Sequence, residues 1–379
     1  MIRIAEPQID EGARRAVMDV LASGRLTAGP YTQRLEEAFA RDVSGTREAV
    51  AVSSGTAALH LALLAHDVGP GDEVITTPFS FQATANMVLA TGARPVFVDI
   101  GPDGNLDPSR VEAAITPRTK ALLPVHLYGR LCDMPALCDI ARRHALALIE
   151  DAAQAHGARI GPLSAGGEGL GGGVASGSFG TGCFSLYATK NLTAGEGGVV
   201  TTNDAELAQR LRRLRAHGEA GRYESIEVGY NYRITEVGAA IALSQIDGLE
   251  AANQRRRENA GFLSQHLRGV ETPPAPVVPE AHVWHQYTVR VAGGRDDLQH
   301  HLRARGIEAM VYYPLTLPSQ KLYRDLGYDD SALPVARRLA GEVLSLPVHA
   351  ALGAADLQTI VDGVNEWTAD YAAGKASTS

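Results

Sequence analysis

Cysteine is nearly absent. Three occur in 379 residues, Cys132, Cys138 and Cys183, and no two form a C-x-x-C pair. That pattern speaks against a disulfide framework and a structural zinc site. There is no basic run and no aromatic-basic stripe, and the formal net charge is -8. Nucleic acid is therefore not the expected partner. No apolar stretch approaches the roughly 18 residues a membrane helix needs. The first residues, Met1-Ile2-Arg3-Ile4-Ala5-Glu6-Pro7, lack the charged-then-apolar layout of a signal peptide. The expectation is a cytoplasmic protein with no membrane contact. With 45% apolar and 21% charged residues, the chain has the composition of a globular protein. Its length favours two domains, or one large and one small.

What is present is alternation. Ala49-Val50-Ala51-Val52, Glu73 to Thr77, Pro95 to Asp99, Ala121 to Val125 and Ala145 to Ile149 are short apolar runs that read as strands. Helical patterns lie at Arg14 to Ala22, Tyr31 to Arg41, Thr56 to His66, Ala83 to Ala90 and Met134 to His144. Continuous apolar strands separated by helices imply a mostly parallel sheet covered on both faces, an α/β fold. After about residue 235 the pattern changes. Glu236 to Arg268 reads as a long, broken helix, and Pro273-Pro274-Ala275-Pro276 as a linker. Strands at Gln286 to Val291 and Gly306 to Tyr312, with helices at Asp296 to Arg305 and Pro334 to Val343, read as a smaller α+β unit. We divide the chain into a large domain, 1–250, and a small one, 251–379. Residues from Ala372 onward read as a frayed end. Gly161 to Gly182 holds ten glycines in 22 residues, and reads as a mobile loop, either a surface insertion or a lid.

Three segments carry chemistry. Phe184-Ser185-Leu186-Tyr187-Ala188-Thr189-Lys190 leads from an apolar strand into a Gly-rich loop, and Val199 to Thr202 forms the next strand. A lysine beside a core has a lowered pKa and can serve as a Schiff-base amine toward pyridoxal phosphate; the plain alternative is a surface-loop lysine. Ser53-Ser54-Gly55-Thr56 stands between a strand and a helix. It is either a phosphate cradle or simply a good helix cap. Asp151 follows the strand ending at Ile149, where open α/β sheets bind ligands. It suits a protonated pyridine nitrogen, or caps a helix. Metal readings are weak. Asp151 and His156 have no further ligand cluster, His282 and His285 lie far from a carboxylate run, and Asp103-Gly104-Asn105-Leu106-Asp107 lacks the Gly and Glu of a calcium loop.

The order Thr56, Asp151, Lys190 is that of the fold-type I pyridoxal-phosphate enzymes. The wording "SSGTAALHLAL", "FQATANMVLATGARPVFVDI", "PVHLYGRLCDM", "IEDAAQAHGA", "FSLYATKNLTAGEGGVV" and "GYNYRITEVGAAIALSQI" closely resembles the DegT/DnrJ/EryC1/StrS aminotransferases, from about Pro7 to Val364. The resemblance implies a fold-type I transferase with a mostly parallel seven-stranded sheet and a smaller α+β C-terminal domain. It implies pyridoxal 5'-phosphate as cofactor, a keto-sugar, chiefly nucleotide-linked, as acceptor, and an amino acid, chiefly glutamate, as donor. By the same resemblance Lys190 is the Schiff-base lysine and Asp151 the pyridine partner. Gln154 lies near the ring's phenolic oxygen, Phe81 stacks on the ring, and Gly55, Thr56 and Ser185 cradle the phosphate. Asn231 matches a phosphate ligand from the neighbouring subunit, which implies a homodimer with shared sites. Arg233 matches either a donor-carboxylate ligand or an interface arginine. Tyr187 and Tyr313 fall among the substrate-binding positions. Many members have His where this chain has Tyr313, and their "HLQ" is here Leu317-Pro318-Ser319-Gln320. Three other readings remain. One is an aminocyclitol aminotransferase using glutamine. Another is a sugar dehydratase, a branch with histidine in place of the lysine, which Lys190 argues strongly against. The third is a non-catalytic cofactor-binding regulator, for which no DNA-binding segment is evident.

Overall fold

The computed structural model describes residues 1–161 and 173–376. Seven strands form one sheet: β1 (Glu48–Val52), β2 (Glu73–Thr76), β3 (Arg94–Phe97), β4 (Thr119–Leu123), β5 (Ala147–Asp151), β6 (Thr181–Ser185) and β7 (Gly198–Thr202). Their spatial order is β1-β7-β6-β5-β4-β2-β3. β7 alone runs against its neighbours, pairing antiparallel with β1 and β6. The other pairs are parallel. Nearly every residue of β1, β2 and β7 is buried. This is why these strands read as unbroken apolar runs.

Helices cover both faces. Leu35 and Phe39 pack with Phe184, Leu186 and Ala239 on one side. On the other, Leu59, Leu61 and Leu63 pack with Val50, Val74 and Leu211. The helices used below are α1 (Glu11–Ser23), α2 (Pro30–Ala38), α3 (Gly55–Ala65), α4 (Ala83–Ala90), α5 (Met134–Arg143), α6 (Ala205–Arg215), α7 (Glu236–Leu243) and α8 (Leu249–His266). The expected break in the helix after Glu236 lies between α7 and α8.

The C-terminal third has its own apolar cluster around Trp284, Tyr287, Leu302, Leu346 and Trp367. β8 (Tyr287–Arg290) pairs antiparallel with β9 (Val343–Leu346). Three expectations change here. Gly306 to Tyr312 is not a strand; single bridges tie Ile307 to Ile2 and Met310 to Ser345. The end expected to fray from Ala372 continues as helix from Ala354 to Ala376. Of the Gly-rich segment, 162–172 lies outside the described residues, but 173–182 is not loose. Val174–Ala175 pairs with Arg159–Ile160. The buried Glu150 carboxylate accepts N–H bonds from Gly177, Phe179 and Gly180 at 2.9–3.0 Å. Glycine is required at 182, where a Cβ would lie 2.3 Å from the Gly177 Cα.

A remote carboxylate caps α2. Its N-cap residue, Gly29, has no side chain to do so. Instead Glu236, buried at the start of α7, accepts from the N–H groups of Tyr31 and Thr32 at 2.9 Å each and from the Thr32 hydroxyl. Burial alone would raise this carboxyl; the hydrogen bonds outweigh it and hold it below the ordinary value. Its contribution is present above the ordinary glutamate pKa and is lost as pH falls through the lowered one. We expect Glu236→Gln to lose about 1.5–3 kcal/mol at neutral pH, the range for hydrogen bonds to a charged group. The difference from the unsubstituted chain should shrink in acid; urea midpoints at pH 7 and pH 4 measure both.

Candidate active site

The strands other than β7 end at one edge of the sheet, so the residues that follow them meet there. β1 leads into Ser53, Ser54 and α3. β2 leads into Phe79 and Phe81. β4 leads into His126 and Tyr128, β5 ends on Asp151, and β6 ends on Ser185 before the Lys190 loop.

The N-terminus of α3 is open to an anion. Ser54 accepts from Ala57 N–H at 3.0 Å through its hydroxyl, and from Ala58 N–H through its carbonyl. The N–H groups of Gly55 and Thr56 remain at the tip of the helix, where its dipole favours negative charge. Gly55 stands against Ser185: a Cβ on Gly55 would lie 2.7 Å from the Ser185 Cβ. Any larger residue at 55 would close the space between them, and the capping reading of the segment is met by Ser54. Ser54 caps, and Gly55, Thr56 and Ser185 line the space beyond it.

Asp151 is buried. Thr84, in the first turn of α4, donates its hydroxyl to Asp151 Oδ2 at 2.7 Å, and Ala153 N–H donates to Oδ1 at 3.2 Å. Burial raises the carboxyl's pKa against these bonds and the Lys190 charge. A carboxylate so placed is stabilised by a cation or a charged N–H facing it. Lys190 is half-buried. Burial lowers its ammonium to about 8, opposed by the Asp151 charge. It is thus far closer to the neutral nucleophilic form than an ordinary lysine.

The sides of the site are aromatic and amide. Tyr128 N–H donates to Gln154 Oε1 at 2.6 Å, and Gln154 Nε2 donates to the Tyr313 hydroxyl at 3.3 Å. Tyr128 adopts φ 60° to make that turn, and its hydroxyl donates to the Tyr312 carbonyl. Burial, then the Asp151 charge, pushes the Tyr313 phenol well up, so it stays protonated. Phe81 is half exposed, its ring centroid 6.3 Å from that of Tyr313. An exposed phenylalanine at a strand-end edge is a ready stacking surface. Tyr187 is exposed at the mouth.

Two expected site residues are not joined to this group. Asn231 is exposed, and among the described residues its side chain bonds to none of them. Arg233 sits beside the end of β1, bridging Val52, and has no ion-pair partner among the described residues. The departure at Leu317 lies in the core rather than the site, packing with Ala85 and Tyr323. Sequence reasoning missed Thr84, although it lies inside the "QATAN" wording, because only the fold carries it to Asp151. No cluster of metal-ligating side chains occurs among the described residues, and no helix there is long and apolar enough to cross a membrane.

The model of the DegT/DnrJ/EryC1/StrS aminotransferase family matches residues 7–365. The chain belongs to this family. Two curated relatives match it nearly end to end. A pleiotropic regulatory protein of Geobacillus stearothermophilus is 41% identical over 96% of both chains. A dTDP-3-amino-3,4,6-trideoxy-alpha-D-glucose transaminase of Streptomyces venezuelae is 42% identical over 93% of this chain and 91% of its own. Among solved structures, S. venezuelae DesV in complex with a ketimine intermediate superposes with a TM-score of 0.86, 42% identity and 94% coverage of both chains. Spr1654 of Streptococcus pneumoniae in its PLP form does so with a TM-score of 0.88, 28% identity and coverage of 97% and 99%. The seven-stranded α/β architecture is that of the DegT/DnrJ/EryC1/StrS aminotransferases.

Proposed function

We propose that this chain is a pyridoxal-phosphate-dependent aminotransferase that moves an amino group from an amino acid, glutamate first among them, to a nucleotide-linked keto-sugar. The observation that carries the reading is the half-buried Lys190 opposite the buried Asp151, beside a cradle that only glycine at position 55 leaves open. The residues fit the cofactor's parts. Gly55 N–H, Thr56 N–H and Ser185 would meet its phosphate, Asp151 its ring nitrogen, Gln154 the neighbouring oxygen, and Phe81 its face. When bound, the cofactor supplies an electron-withdrawing ring and carries nitrogen between the two substrates. Asp151 holds the proton at the ring nitrogen. Lys190 Nζ would attach the cofactor at rest and, when free, would move a proton between the substrate carbon and the cofactor's C4′. Tyr187 and Tyr313 line the approach of the sugar. Arg233, with no carboxylate partner among the described residues, suits the donor's.

The acceptor class is drawn from the Streptomyces transaminase. The regulatory relative matches over nearly its whole length, so no additional nucleic-acid-binding segment sets that protein apart. A half-reaction screen tests the proposal. The protein in its pyridoxamine form is mixed with keto-sugar nucleotides and with scyllo-inosose, and the return of the pyridoxal absorbance is followed. A response to keto-sugar nucleotides alone is expected. A response to scyllo-inosose alone would make this a cyclitol enzyme, and no response to any ketone would favour the regulator.

We further propose a homodimer in which Asn231 reaches the partner's cofactor phosphate. The hairpin preceding it exposes apolar side chains, with Tyr223 84% and Val228 81% exposed, as an interface does. A hydrogen bond to the phosphate is worth roughly 1.5–3 kcal/mol, so Asn231→Ala should weaken cofactor retention without unfolding the chain. Mixing inactive Lys190→Ala with Asn231→Ala subunits should restore part of the activity, because one site of each mixed dimer carries neither lesion. Mixed dimers verified by mass but without recovered activity would refute the shared site.

A further inference from the structure

α8 buries three polar side chains, Asn253, Arg256 and Asn259, and of these Asn253 is completely buried. A buried amide is costly unless its oxygen and nitrogen are both bonded, and here they bond in two directions. Asn253 Oδ1 accepts from Asn191 Nδ2 at 3.0 Å, and Asn253 Nδ2 donates to the His156 carbonyl at 2.9 Å. Asn191 follows Lys190. His156 closes the turn that begins at Asp151. One amide thus joins the loop of the lysine to the loop of the aspartate.

The rest of the lysine loop is fastened to the same helical region. Asn191 Nδ2 also donates to the Val283 carbonyl at 3.0 Å, and Asn191 Oδ1 faces His285 Nδ1 at 3.3 Å. Burial keeps His285 neutral, so Nδ1 carries the hydrogen and donates. Gln245, between α7 and α8, accepts from Thr193 N–H at 3.2 Å and donates to the Thr193 carbonyl at 2.7 Å. The fit around Asn253 is close: a Cβ on Gly157 would lie 3.2 Å from its Nδ2.

We propose that Asn253 is a positioning residue that holds the Lys190 loop and the Asp151 loop in a single arrangement, through Asn191 on one side and the His156 carbonyl on the other. The proposal rests on Lys190 and Asp151 being the working pair. An apolar residue at 253 would fill the volume but leave the Asn191 amide short of one acceptor and the His156 carbonyl without its donor. Loosening the loop readmits water to Lys190. The titratable groups facing Lys190 are Asp151, His156 and His285; burial keeps both imidazoles neutral.

The test uses cofactor-free Asn253→Ala and Asn253→Ser. Hydrogen exchange is read in peptides covering 152–158 and 187–195, and the pH dependence of Lys190 acylation by acetic anhydride is read by mass spectrometry. In Asn253→Ala both peptides should exchange at least about tenfold faster while the β1 peptide does not change, a paired local opening. Lys190 should titrate about one unit or more higher, toward the ordinary lysine value. Asn253→Ser, which keeps one bond, should fall between; it decides on the same readings if Asn253→Ala does not fold. Unchanged exchange in both loops, or an equal rise throughout the chain, overturns the proposal. Neither reading needs turnover. A paired opening in a protein whose Lys190 never takes up cofactor would keep the positioning role and remove the function instead.

Discussion

Lys190→Ala should lose amino transfer and the visible absorbance of the bound cofactor together, while the fold survives. The chain has four lysines, at 120, 190, 321 and 375, and among those whose side chains are described only Lys190 lies at the strand-end edge beside Asp151. On the proposed function, removing it takes away both the attachment point and the base at the substrate carbon. General acid–base catalysis alone is worth about 10²- to 10⁴-fold, and the loss should reach or exceed that range. The cofactor should still associate through its phosphate, since Gly55, Thr56 and Ser185 are untouched. The lowered pKa fixes the sign of the pH dependence. With an ammonium pKa of about 8, attachment to Lys190 in the wild type should quicken as pH rises through 8, well below the value of an ordinary lysine. Stopped-flow mixing of the cofactor-free protein with pyridoxal phosphate reads this directly. A Lys190→Ala protein with wild-type turnover would remove the assignment.

Asp151→Asn keeps the size and shape of the side chain and removes its charge. Thr84 still has an oxygen to donate to, so the local fold should hold. What goes is the anion that, on the proposed function, keeps the ring nitrogen protonated. Breaking a buried charge pair costs on the order of 3–5 kcal/mol. Felt in the transition state, that is roughly two to nearly four orders of magnitude in rate. Single-turnover half-reactions with donor and with acceptor should both slow, because the ring is needed in each direction. Unchanged half-reaction rates would mean that another group supports the ring.

The edge where these residues meet was legible in the sequence because each lies next to an apolar run in the chain. Asp151 and Ser185 end strands, Gly55 and Lys190 follow them, and the strands were recognisable as continuous buried segments. Contacts between distant segments were not. Thr84 reaches Asp151 across 67 positions, and Asn253 reaches Asn191 across 62. A lone asparagine in the charge-rich opening of α8 looks like a solvated residue until the packing places it. Gly306 to Tyr312 failed as a strand for a related reason. Its apolar run is buried in part, but its backbone is met by Ile2 and Ser345 at single points rather than by a ladder. The Gly-rich stretch misled in the opposite sense: from 173 to 182 its glycines permit close packing around Glu150 rather than motion. The helix α6 went unread although Asp204 caps it and Ala208, Leu211 and Leu214 recur at helical spacing on its buried face; β9 is four residues long and directly follows a helix.

The account stands most directly on where the cofactor is attached. Borohydride reduction of the loaded protein, followed by digestion and peptide mass mapping, fixes the adduct on one of the four lysines. The account predicts the pyridoxyl mass on the peptide containing Lys190 and on no other. It also predicts that prior incubation with glutamate, which converts the cofactor to its amine form, will prevent the labelling. A reduced adduct on Lys120, Lys321 or Lys375, or none on Lys190 in a protein active in amino transfer, would contradict it.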